Sequence, residues 1–295
     1  MPKQDKSKIH IKKEKPESQF KEIIKRFGKN KLALSGLIIF LIIAIMAICA
    51  PFFAPYGFAD MDLSNTYASP SLKHLCGTDQ LGRDIFSRLI YGARYSLGLG
   101  FCAQIFTLVF GVIIGSVVGY FGGKVDLFIM RMLDIFESIP GTLLAIVICT
   151  VLGTGFTNTV IAMGVGGIPM MSRLLRSSIL TVREQEYIEA AASINCSKLR
   201  QIMKYLLPNS ISPLIVTFAM GLGATIMTAA GLSYLGLGVQ PPTPEWGAML
   251  SETRKYFQIY PHMALFPGIA IGITVLAMNL VGDGLRDALD PKLKN

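Results

Sequence analysis

Asp, Glu, Lys and Arg vanish from this chain for twenty residues and more at a time. None occurs in residues 32–54, 97–121, 212–237 or 262–281. A helix needs about 20 apolar residues to cross the hydrocarbon core of a bilayer, where every backbone N–H and C=O must be paired within the protein. Runs of this length therefore predict an all-α, polytopic membrane protein. Two weaker runs, 139–152 and 156–171, complete six expected transmembrane helices. The second of these is broken by Gly164, Gly166, Gly167 and Pro169. Merging the two into one span would strand the following arginines, Arg173, Arg176 and Arg183, on the wrong side of the membrane.

Composition agrees, with 52% hydrophobic and 16% charged residues and a mean hydropathy of +0.50. The net charge of +9 reads as topology, because Lys and Arg accumulate in cytoplasmic loops; nucleic-acid binding would require a soluble basic face. Residues 1–31 carry ten lysines and form a basic cytoplasmic leader. Its first half reads as disordered and residues 20–27 as a short amphipathic helix on the membrane surface. The run at 32–54 is too long for a signal-peptide core and lacks a small-residue cleavage pattern, so it is a retained first span. The organisation expected is the leader at 1–31, a first span and external loop at 32–94, a permeation core at 95–282 and a cytoplasmic tail at 283–295. Both termini are inside, and within the core residues 172–207 form a cytoplasmic excursion.

That excursion is polar and helix-prone between apolar neighbours. Thr181 with Glu184 is a capping-box pattern, and 184–194 reads as a helix rich in alanine, including Ala190 and Ala191. Asn195 suits a left-handed turn. Ser197 is a candidate cap for a second helix reaching Leu207, which Pro208 stops. A smooth alanine face beside Glu189 suits docking in another protein's groove; the plainer alternative is an ordinary surface helix pair.

Elsewhere, Gly111, Gly115 and Gly119 are spaced for close helix contact. Asp84 and Arg88 stand four apart and are expected to pair along their helix. Trp246, after a proline-rich loop, suits an interfacial anchor. Arg131 and Asp134 can pair at the interface. Glu137 either lines a pathway, as ionisable residues at depth often do, or reaches water at the interface. Cys49, Cys76, Cys102, Cys149 and Cys196 contain no CxxC pair and the three histidines are scattered, so no metal site or cofactor is expected. No HExxH and no convergent nucleophile and base are legible, which argues against an enzyme. No GxxxxGK[ST] phosphate cradle occurs either, so this chain does not itself hydrolyse ATP. Charge pairs buried in the spans and inverted repeats, which would mark a secondary transporter, are not legible.

Glu189-Ala190-Ala191, Asn195 and Leu207-Pro208 resemble the EAA motif of ABC-importer permeases, with Asn195 in place of that family's glycine and Tyr205 in place of its isoleucine. GTDQLGRDIFSRLIYGARYSL, GLSYLGLGVQPPTPEWGAML and NLVGDGLRDALDPK are similar to the C-type permease of dipeptide, oligopeptide and nickel importers. The resemblance implies a type I importer permease fold in a bacterial plasma membrane. It implies ATPase coupling through Glu189, Ala190, Ala191, Asn195, Leu207 and Pro208. It also implies partners: a homologous second permease, two cytoplasmic ATP-binding subunits and an external solute-binding protein. Peptide is the expected cargo and nickel or a metal chelate the alternative; peptide length is not legible.

Overall fold

In a computed structural model, residues 19–289 are described, and their regular elements are helical apart from a lone antiparallel bridge between Thr78 and Asp84. Positions 12 and 292, expected inside, and the outer parts of the leader and tail lie outside the described residues. Helix α1 (Gln19–Lys29) leads into α2 (Lys31–Ile48), which is capped by the Asn30 side chain accepting from the Leu32 and Ala33 amides. At the far end of α2 the Arg94 guanidinium donates to the Ala47 and Ile48 carbonyls, groups that a helix leaves unpaired and negative.

The longest element is α3 (Ile85–Phe121), of 37 residues, or roughly 55 Å at the α-helical rise. The apolar run predicted a start near residue 97. The helix instead begins at Ile85, because Asp84 caps it by accepting from the Ser87 amide at 2.7 Å. Its polar first turns find partners inside the protein, described below.

Next come α4 (Gly123–Glu137) and α5 (Gly141–Leu152), bent 85° from each other. Twelve residues of α5 span only about 18 Å, so the expected third span is short by itself. Helix α6 (Phe156–Arg183) contains the expected fourth span and continues through its arginines. Helices α7 (Glu186–Ser193), α8 (Ser212–Tyr234), α9 (Trp246–Glu252) and α10 (His262–Leu289) complete the chain. Four helices, α2, α3, α8 and α10, are long and apolar enough to cross a membrane, and α4 with α5 makes a fifth if the bent pair is one span. Glycines, Asn158 and Arg173 keep α6 below that mark. It packs more extensively on α3 than on any other element.

The α3–α6 seam is the small-residue stripe that the spacing predicted. An added Cβ would meet Met171 Cβ at 2.6 Å from Gly111, the Ser172 carbonyl at 2.7 Å from Gly115 and Ile179 Cβ at 2.9 Å from Gly119. The two helices thus meet almost backbone to backbone, and Thr107 adds a 2.9 Å hydrogen bond to the Gly164 carbonyl.

Candidate functional site

Two regions hold most of the polar chemistry, one at each end of α3. At the Phe121 end lies the excursion. Thr181 does not cap it. The hydroxyl donates back to the Ser177 carbonyl at 3.2 Å, as Thr does inside a helix, so α6 runs on to Arg183 and α7 begins only at Glu186. Helix α7 buries Ile188 and Ala191 and exposes Glu189 and Ala190. Asn195 has φ 59°, the left-handed turn that its chemistry predicts, and the Cys196 amide closes it on the Ala191 carbonyl at 3.1 Å. Gly relieves a non-glycine residue of the cost of positive φ. Asn195→Gly is therefore expected to leave thermal stability and assembly at wild-type level or slightly above, as measured by melting of the purified chain.

Ser197 stands at the cap position of the second arm but makes no side-chain cap bond. Nor does Pro208 stop that arm. The chain stays helical from 198 to 210, with a π-helical turn at Gln201–Leu206 immediately before the proline. A proline ring clashes with the carbonyl four residues back and supplies no N–H; widening the ladder there accommodates it. Asn209 Nδ2 donates to the Tyr205 carbonyl at 2.6 Å in the same turn. Leu206 is fully buried, Leu207 packs partly on the same core and Pro208 is exposed.

The exposed face of the excursion carries more than the motif residues. Ile194 is 78% exposed, Leu199 71% and Met203 58%; none of them stood out in the sequence. The charges divide between the arms, with Glu184, Glu186 and Glu189 exposed on the first and Lys198, Arg200 and Lys204 on the second. The buried side joins α6 and α8 through Leu175, Ile179, Ile188, Leu206 and Leu214. Tyr120, near the end of α3, donates its hydroxyl to Gln201 Oε1 at 3.1 Å, and Arg183 donates to the Tyr120 carbonyl at 3.0 Å.

Beside the excursion, α4 and α6 are laced by ion pairs. Arg176 binds Asp126 through two bonds, Arg173 binds Asp134 at 2.8 Å, and Arg131 reaches Asp134 at 3.6 Å. Glu137 pairs with Arg173 and is 45% exposed in its side chain. It is thus a partly solvated member of a charge band.

The Asp84 end of α3 holds a buried ionic cluster. Asp84 does not pair with Arg88. Besides its cap bond, it meets His74 Nδ1 at 3.0 Å and accepts the Ser87 hydroxyl. Arg88, 1% exposed, donates to Asp79 and, at 2.8 Å, to Glu252. Arg83 also bonds both acids, Asp79 at 2.6 Å and Glu252 at 3.0 Å. The GTDQLGRD segment is thereby joined to α9, which begins within the PPTPEWG segment. In the same place Trp246 is a core residue, not an interfacial anchor. It is 2% exposed, with its indole N–H donating to the Leu89 carbonyl at 3.0 Å. Neighbouring Glu245 is fully buried and caps α9 through the Ala248 amide at 2.8 Å, while accepting the Ser96 hydroxyl. Burial pushes its carboxyl above the usual range, against the lowering effect of those bonds. Cys76 is also buried, and desolvation pushes its thiol up to about 11.

The family model described as "binding-protein-dependent transport system inner membrane component" matches residues 111–295. A second, "N-terminal TM domain of oligopeptide transport permease C", matches residues 18–70. Among curated relatives, the dipeptide transport system permease protein DppC of Alkalihalophilus pseudofirmus is 45% identical, over 94% of this chain and 91% of its own length. The glutathione transport system permease protein GsiD of Escherichia coli is 44% identical, over 96% of this chain and 94% of its own. Among solved structures, the inward-facing MetNI methionine ABC transporter superposes with a TM-score of 0.57 at 20% identity, covering 70% of this chain and 98% of the matched one. At that identity the likeness is one of fold.

Proposed function

Because this chain belongs to the inner-membrane permeases of binding-protein-dependent transport systems, we propose that it forms half of an ATP-driven import pathway for small peptides and takes its drive through the 181–208 excursion. The observation that carries the coupling role is the exposed face of that excursion. Small Ala190 sits beside Glu189, next to exposed Ile194, Leu199 and Met203, with acidic and basic arms. Exposed apolar residues rimmed by charge mark a protein contact. The sequence holds no phosphate cradle of its own, so the engine is a separate pair of ATP-binding subunits, bound on the cytoplasmic side. Closure of that pair moves the excursion, and the helices packed on it tilt between two arrangements that open to opposite sides. A homologous second permease completes the pathway and an external binding protein delivers the cargo.

Peptide cargo is supported by relatives that carry dipeptide and glutathione. The test is uptake of labelled dipeptide, glutathione and nickel by cells with and without this chain, together with recovery of ATPase subunits on its purification. Peptide uptake that depends on the chain is expected. Chain-dependent nickel uptake without peptide uptake would sink the cargo assignment, and a chain recovered without ATPases would sink the coupling role.

Orientation has its own measurement. Cys196 is partly exposed on the excursion, so a membrane-impermeant maleimide is expected to label it only after the membrane is opened. Buried Cys76, with its raised thiol, stays unlabelled on either side at neutral pH, because the thiolate is the reacting species. Labelling of Cys196 in intact cells would reverse the topology.

A further inference from the structure

We infer that Gln201 is a positioning residue that locks the coupling turn to α3, so that the excursion drives the far end of that helix as one rigid rod. The inference rests on the coupling role proposed above and adds residues outside its motif. Gln201 is 7% exposed and both ends of its amide are used. Oε1 accepts the Tyr120 hydroxyl at 3.1 Å, and Nε2 donates to the Cys196 carbonyl at 2.8 Å. The Cys196 carbonyl belongs to the turn set by Asn195, and Tyr120 stands one residue from the end of α3. One side chain therefore bridges the tip of the excursion and the long helix. Two further contacts hold the same junction, the Arg183 bond to the Tyr120 carbonyl at 3.0 Å and Lys198 over the Phe121 ring at 5.5 Å.

From this junction α3 runs without a break to its other end. There Arg88 is fixed by Asp79 and Glu252, the Leu89 carbonyl by Trp246 and Ser96 by Glu245. An unbroken helix anchored at both ends has no hinge in which to lose a displacement. The π turn that begins at Gln201, with Pro208 beyond it, forms the joint that leads into α8. Gln201 thus decides that motion of the turn enters α3 instead of being absorbed in that joint.

The test uses the assembled transporter, this chain with its second permease and ATPases, in hydrogen–deuterium exchange with and without ATP and orthovanadate. In the wild type, nucleotide is expected to change exchange in residues 77–92. Gln201→Leu and Tyr120→Phe each leave the ATPases bound but shrink that change by roughly three- to tenfold, the factor one hydrogen bond supplies in an equilibrium. The double variant shrinks it no further than the larger single effect, because both substitutions cut one link. An undiminished response in both single variants overturns the inference, as does a wild type without any response at 77–92. Loss of the ATPases from Gln201→Leu also overturns it, by making Gln201 part of the docking surface. Ala190→Arg in parallel separates the two levels. If it keeps its ATPases, the coupling role itself fails; if it loses them while the relay variants respond normally, only the relay fails.

Discussion

Asp79→Ala should melt the loop-and-helix region around the Asp84 end of α3 at a markedly lower temperature than the wild type, with a loss of about 3–5 kcal/mol. Arg83 and Arg88 are 2% and 1% exposed in their side chains, and each pairs with both Asp79 and Glu252. Removing Asp79 leaves two buried guanidiniums facing a single acid. It also strips the Leu81 and Arg83 amides of the oxygen that accepts them at 2.9 and 3.0 Å. The cost arises from stranding a desolvated charge, not from the worth of the four-residue cluster, which a well-packed apolar set of equal volume could match. The chain's one tryptophan is the reporter, since Trp246 is buried where α9 meets Leu89. Its emission should shift to the red early in a thermal ramp of the purified variant, and protease should cut within 54–84 sooner. Leu72→Ala, at a fully exposed position, should change neither by more than about 0.5 kcal/mol. Equal melting of Asp79→Ala and the wild type would mean that water already solvates the two arginines.

That cluster also shows where a reading of the chain alone gives out. Long charge-free runs announce α2, α3, α8 and α10 because the bilayer constraint is local: length and apolarity suffice. The start of α3 is not local. Ser87 and Arg88 look like polar flank, and helical spacing predicts that Arg88 pairs with Asp84; its partner Glu252 lies 164 residues away. Trp246 misleads in the same way, because its indole N–H finds the Leu89 carbonyl and has no need of an interface. In the excursion, Asn195 was legible since left-handed turn chemistry depends on one residue. Thr181 and Pro208 were not, since a hydroxyl bonding back to Ser177 and a π turn before the proline let helix continue through both signals. Among the candidate coupling residues, the motif supplied Glu189 and Ala190 but could not tell them from buried Ala191. Leu199 and Met203 carry no signal of their own in so apolar a chain. Their spacing of four, offset from buried Leu206 and half-buried Ile202, was the available sign of an outward stripe.

The distinction between Ala190 and Ala191 gives the coupling proposal its sharpest expectation. Ala190 is exposed, whereas Ala191 is only 5% exposed. Ala190→Arg adds a long cation to a surface that offers a partner only a methyl group. Forced volume of that kind costs about 1–3 kcal/mol in a close-packed contact, or roughly a 5- to 150-fold loss of docking. Uptake should collapse while the chain still inserts at normal abundance and releases its ATPases on purification. Glu189→Lys should act in the same direction by reversing a charge on the acidic arm, and more weakly at high salt, where exposed charges are screened. Ala191→Arg should behave differently. Its guanidinium would have to be accommodated at a buried position, so chain abundance and melting temperature should fall before docking can be asked about. The measurements are blot abundance, co-purified ATPase and initial uptake rate for the three variants side by side. Normal uptake and full ATPase retention in Ala190→Arg would remove the excursion's outward face from the coupling path. An Ala191→Arg chain as abundant as Ala190→Arg would show that the two alanines are not sorted between surface and core as described.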